Sequence, residues 1–135
     1  ADLGFSEEDR RENLRRIAHV AKLFNQNGNF VIASFVSPTN EYRKAVKEII
    51  GNLKLVYVNC SVETCEKRDV KGMYKKARKG EIKEFTGVSA PFEEPDEADI
   101  VVDTESNDLE TCVSAILMAL KVGSVVDPPR KVRSW

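Results

Sequence analysis

Apolar positions in this chain either recur at helical spacing or bunch into short continuous runs. Leu14, Ile17, Ala18, Ala21 and Phe24 share one face of a helix that opens at Ser6-Glu7-Glu8-Asp9 and stops near Gly28. Phe30 to Val36 is nearly all apolar, as a strand buried on both faces of a parallel sheet reads, and Pro38 ends it. A second helix, Glu41 to Ile50, turns Ala45, Val46, Ile49 and Ile50 inward and closes at Gly51. Leu53 to Asn59 is the next predicted strand. Ser61 caps a short helix through Arg68, and another helix runs from Val70 to Lys79. A Pro-rich and acidic loop spans 87–99, and Ile100 to Asp103 is a short strand. A last helix, Asp108 to Lys121, spaces Val113, Ile116, Leu117 and Leu120 at i, i+3, i+4 and i+7. The pattern predicts one domain over 1–122 and a tail or linker over 123–135.

Helices alternating with buried strands predict a three-layer α/β domain with a parallel sheet. Such sheets bind ligands at the carboxyl ends of their strands. Polar residues stand at all three predicted ends: Ser34 to Pro38, Asn59 to Ser61, and Asp103 to Ser106. Helix capping accounts for each of these singly as well.

Composition narrows the function. With 41% hydrophobic and 32% charged residues, the 135-residue chain has the makeup of a globular domain with a core. A net charge of −1 argues against a general nucleic-acid coat or a membrane-surface binder. No run approaches the roughly 18 apolar residues of a membrane span, and no export signal is visible, so a cytoplasmic location is expected. Cys60, Cys65 and Cys112 show no CxxC spacing and read as reduced, partly buried residues. His19 is the sole histidine, so no metal site of protein nitrogens and sulfurs is expected.

Charge is segregated rather than absent. Lys71, Lys75, Lys76, Arg78, Lys79 and Lys83 crowd one segment, followed by the aromatic Phe85 beside Gly87. Glu93, Glu94, Asp96, Glu97 and Asp99 crowd the loop beyond. Cations at that density attract phosphate or sulfate, and an adjacent aromatic can stack on a base. The plainer alternative is a solvated helix face.

Longer blocks weigh against that alternative, though Lys75, Lys76 and Lys79 read equally well as solvent-facing. Asp2-Leu-Gly-Phe-Ser6, Asp9-Arg-Arg-Glu-Asn13, Ser34-Phe-Val-Ser-Pro38 and the run from Cys65 to Gly87 resemble adenylyl-sulfate (APS) kinases, in the same order and spacing over about residues 2–120. That family consists of P-loop kinases that move the γ-phosphoryl of ATP to the 3′-hydroxyl of APS, giving PAPS. The resemblance implies that Phe5 and Phe85 sandwich the APS adenine, and that Arg10 and Asn13 hold its phosphosulfate and sugar. Val36 and Ser37 would form the APS-contacting turn, with Ser37 positioning substrate rather than acting as nucleophile. Lys71 would bind APS from a mobile lid, and Arg68 and Arg78 would carry transition-state charge. Thr104 and Asn107, with Arg68, would edge the ATP site, and Mg²⁺ would arrive with ATP. A homodimer and an association with ATP sulfurylase are further implications. Thr39 departs from the family's aromatic, and Ser89-Ala90 from its Asp-Ser pair.

The motif Gly-x-x-x-x-Gly-Lys-Ser/Thr does not occur in the 135 residues. In the family it precedes the first block seen here and carries the amides and lysine that cradle ATP phosphates. The fold expected is therefore a P-loop kinase-like domain whose first strand and phosphate loop fall outside these residues. The expectation is that they belong to a longer polypeptide. Taken alone they would form a poorly cooperative fold without phosphoryl transfer. The alternative function is a non-catalytic APS- or PAPS-binding regulatory domain, or an inactive fragment.

Overall fold

A computed structural model describes residues 2–4 and 6–121. The expected tail over 123–135 and Phe5 lie outside the described residues. Among the described residues, five helices and two strands run in the order α1 (Glu7–Gln26), α2 (Asn40–Ile50), β1 (Val56–Asn59), α3 (Val62–Arg68), α4 (Met73–Arg78), β2 (Ile100–Asp103) and α5 (Leu109–Ala119).

Four of the helices begin where short polar side chains satisfy a free amide. Ser6 Oγ accepts from the Asp9 amide at 3.1 Å and Thr39 Oγ1 from Tyr42 at 3.3 Å. Ser61 Oγ accepts from Thr64 at 3.2 Å and Asp108 Oδ1 from Thr111 at 2.8 Å. The exception is α4. It starts after Gly72, whose φ of 64° is left-handed, so the helix is shorter than the 70–79 expected from sequence.

β1 and β2 are parallel, with Val56 opposite Ile100 and Asn59 opposite Asp103. The expected parallel sheet is thus present, and α5 packs on β2. Buried Ile100, Val102 and Cys112 form the centre, with Val56, Ile116 and Leu120 against them. A second apolar seam joins α1 to α2 through Leu14, Ala18, Ala21 and Tyr42, and the Tyr42 hydroxyl donates to the Glu7 carbonyl at 3.2 Å.

One expected strand differs. Residues 30–36 carry no regular structure, and Phe30 and Ile32 are 71% and 86% exposed. A strand exists through its ladder, and among the described residues none pairs with this run. Its apolar content marks a surface suited to burial, not a partner. β1 likewise begins at Val56 rather than Leu53, where pairing with β2 begins.

Candidate functional site

A cleft of about 1500 Å³ opens between α1, the 35–36 segment, the end of β1 and the 85–92 loop. Arg10 and Asn13 of α1 both line it, which confirms that their spacing of three puts them on one face. Val36 and Phe85 line it from the other elements. Four of the sequence-selected residues therefore surround one cavity.

The loop carrying Phe85 is tightly bound to itself and to α1. The Phe85 carbonyl accepts from the amides of Val88, Ser89 and Ala90, at 3.0, 2.9 and 3.0 Å. Its own amide donates to Ser89 Oγ at 2.9 Å, so the serine that departs from the family pattern serves here as a turn acceptor. Arg10 donates to Thr86 Oγ1 at 3.0 Å and to the Glu84 carbonyl. Glu84 has φ 55°, a left-handed conformation uncommon for a side-chain-bearing residue. Behind Phe85, Tyr74 of α4 meets its ring edge-on at a centroid distance of 5.0 Å. Burial first, then the neighbouring Cys65 thiol, pushes the Tyr74 hydroxyl up to about 12.

The remaining selected residues among those described lie outside the cleft lining. Ser37 follows directly on the Val36 wall and is half-buried. Arg68 donates to the Thr104 carbonyl at 2.6 Å, joining α3 to the end of β2. Thr104 Oγ1 donates to the Asn59 carbonyl at 3.1 Å, and Asn107 Nδ2 to the Asp103 carbonyl at 3.0 Å. Arg78 pairs with Glu66 at 2.5 Å, which straps α4 to α3. Lys71 is exposed at the turn before α4. Among the described residues no cluster of three or more acidic, His or Cys side chains is placed to hold a metal ion.

Residues 1–103 match the family model of adenylylsulphate kinase. The chain belongs to that family. A probable adenylyl-sulfate kinase of Bacillus subtilis is 49% identical over 122 residues, covering 89% of this chain and 62% of that one. The adenylyl-sulfate kinase of Staphylococcus haemolyticus is 50% identical over 127 residues, 93% of this chain and 64% of that one. The chain thus spans under two-thirds of the length of these relatives. The solved structure of the Mycobacterium tuberculosis APS kinase in complex with AMPPNP and APS superposes with a TM-score of 0.82 at 35% identity, over 89% of this chain and 71% of that one.

Two supports of this cleft escape a reading of the sequence. The first is Arg43, which is only 7% exposed. Its guanidinium donates to Asn40 Oδ1 at 2.6 Å and to the Glu93 carbonyl at 2.5 Å, and sits 5.2 Å from the centre of the Phe92 ring. Phe92 in turn stacks on Tyr57 at 6.2 Å. The Glu93 carboxylate accepts from the Asn40 amide at 2.7 Å, where the start of α2 favours negative charge. The acidic loop is thereby moored to α2 and walls the cleft.

The second is Asp69. Its carboxylate accepts from the amides of Tyr74 and Lys75, both at 3.0 Å, and caps α4 in place of a conventional N-cap side chain. Burial raises its pKa, but the amides of Lys75, Tyr74 and Met73 outweigh this and hold the carboxyl below its ordinary value of 3.8. This contribution is complete above 3.8 and disappears as pH falls through the lower folded value. Asp69→Ala is expected to fray α4. Native-state trypsin cleavage after Lys75 and Lys76 should rise several-fold in the variant, with Asp69→Asn intermediate because it keeps one acceptor. Unchanged cleavage would show that Arg78–Glu66 alone fixes α4.

Proposed function

We propose that this chain forms the APS-binding side, and the basic helix closing over it, of an adenylyl-sulfate kinase. That enzyme transfers the γ-phosphoryl of ATP to the 3′-hydroxyl of APS to give PAPS. The observation that carries the proposal is the convergence of Arg10, Asn13, Val36 and Phe85 on one cleft in a chain of this family. Similarity to a kinase solved with APS and AMPPNP supports it.

In this reading the Phe85 ring, fixed by its turn and by Tyr74, offers a flat face to the adenine. Phe5 supplies the opposite face. Arg10 exchanges Thr86 and Glu84 for the phosphosulfate, and Asn13 holds the sugar. Ser37 orients the acceptor hydroxyl at the end of the Val36 wall. Lys71, with α4 behind it, brings cationic charge over the substrate. Arg78 turns from Glu66 to the transferring phosphoryl, where a guanidinium pairs bidentately. Arg68, Thr104 and Asn107 edge the ATP side. Mg²⁺ would accompany ATP, adding positive charge at the transferring phosphoryl. A cytoplasmic homodimer, in association with ATP sulfurylase, completes the proposal.

A binding module without transfer would use the same cleft walls. The engagement of Arg68 by Thr104 and of Arg78 by Glu66 favours keeping that reading. A coupled assay of PAPS formation separates the two: a transferring protein loses turnover in Arg78→Ala, and a binding module has none to lose. Phe85→Ala tests the shared part. Loss of base stacking costs about 1–3 kcal/mol, a weakening of APS binding of roughly ten- to hundredfold. Equal binding by the variant would remove Phe85 from the site.

A further inference from the structure

Cys60 and Cys65 flank Ser61, the cap of α3, at the position just before the cap and the fourth position inside the helix. Those two positions pack against each other at a helix start, usually with a pair of apolar side chains. Here both are thiols. Cys60, Cys65 and Tyr74 all stand on the lining of the same cleft. Arg68 Nη1 approaches Cys60 Sγ at 3.8 Å. Both cysteines are half-buried and both line the cleft, so a small solute reaches them, whereas Cys112, on α5, is buried against β2.

We propose that Cys60 and Cys65 form a dithiol modification site in the cleft wall, which a peroxide closes to an intrachain disulfide. The Cys60 sulfur, beside the Arg68 guanidinium, attacks a peroxide oxygen. The O–O bond breaks, the sulfur is oxidised to sulfenic acid, and hydroxide leaves and is protonated to water. The Cys65 sulfur then attacks the sulfenic sulfur. The S–S bond forms, the S–O bond breaks, and a second water leaves with the Cys65 proton. The net change is two thiols and hydrogen peroxide to one disulfide and two waters.

Closure has a reach beyond the two sulfurs. Cys65 shares the cleft wall with Tyr74, whose ring buttresses Phe85, and Cys60 faces Arg68, which holds the end of β2. Drawing the sulfurs together withdraws Cys60 from Arg68 and shifts the start of α3 beside Tyr74, so oxidation loosens α4 from the cleft wall. This inference does not depend on which nucleotide the cleft takes.

The test uses the full chain, treated with hydrogen peroxide, alkylated with N-ethylmaleimide and digested with trypsin. Residues 55–67 contain no internal Lys or Arg, so both cysteines fall in one peptide and Cys112 in another. The expected result is a 55–67 peptide lacking two hydrogens and unalkylated, restored by dithiothreitol, with Cys112 unchanged. Native trypsin cleavage within α4 should rise several-fold in the oxidised chain and stay constant in peroxide-treated Cys60→Ser. Alkylation of both Cys60 and Cys65 after peroxide, their conversion to sulfinic acids, or a disulfide to Cys112 or a second chain would overturn the site. Equal α4 cleavage before and after disulfide formation would overturn its coupling to the helix.

Discussion

Arg10→Ala is expected to weaken APS binding about a hundredfold. A guanidinium hydrogen bond to a charged partner contributes about 1.5–3 kcal/mol, and Arg10 is the one selected arginine on the cleft lining, beside Arg16 of the same helix. Arg10 also bonds Thr86 and the Glu84 carbonyl, so its removal frees the loop that presents Phe85. The two effects separate experimentally. Arg10→Lys keeps the charge but loses the forked geometry, and should recover only part of the affinity. Melting temperature reports the loop, and calorimetric titration with APS reports the ligand. An unchanged APS affinity in Arg10→Ala, with the chain still folded, would assign Arg10 to the loop alone.

Arg43→Ala is expected to cost about 2–4 kcal/mol of stability, the largest effect of any single surface-loop support here. The guanidinium is buried, and its loss strands the Glu93 carbonyl and removes the cation from the Phe92 ring. Chemical denaturation should show a lower midpoint. Arg43→Lys should recover little, because an ammonium cannot bridge Asn40 and Glu93 while lying over the ring. With the mooring gone, Phe92 and Tyr57 lose their fixed stacking, so the cleft widens. A denaturation midpoint within error of the parent would show that Asn40, through Glu94 and Asp96, holds the loop without help.

The helices were legible because each declares itself locally. Apolar spacing marked α1 and α2, and Ser6 and Ser61 stand at the caps where the pattern put them. The run at 30–36 misled because hydrophobicity reports suitability for burial and says nothing of the strand that must pair with it. The clustering of cations was equally plain, but their partners were not. Arg78 pairs with a glutamate one helix earlier, and Arg68 meets a backbone carbonyl across the fold. Arg43 was invisible for the same reason: its main partner is the carbonyl of Glu93, and any residue type presents a carbonyl. Asn40 and Arg43, three apart at a helix start, were the only hint. Family resemblance singled out Arg10, Asn13, Val36 and Phe85, and all four line one cleft.

The most direct measurement is calorimetric titration of the chain with APS, beside the Arg10→Ala, Phe85→Ala double variant. The two residues belong to one cleft, so their combined loss should be at least that of Arg10→Ala alone. The account predicts a saturable single-site isotherm for the parent and no measurable binding by the folded double variant. No APS binding by the folded parent, or the same affinity in both proteins, would contradict it.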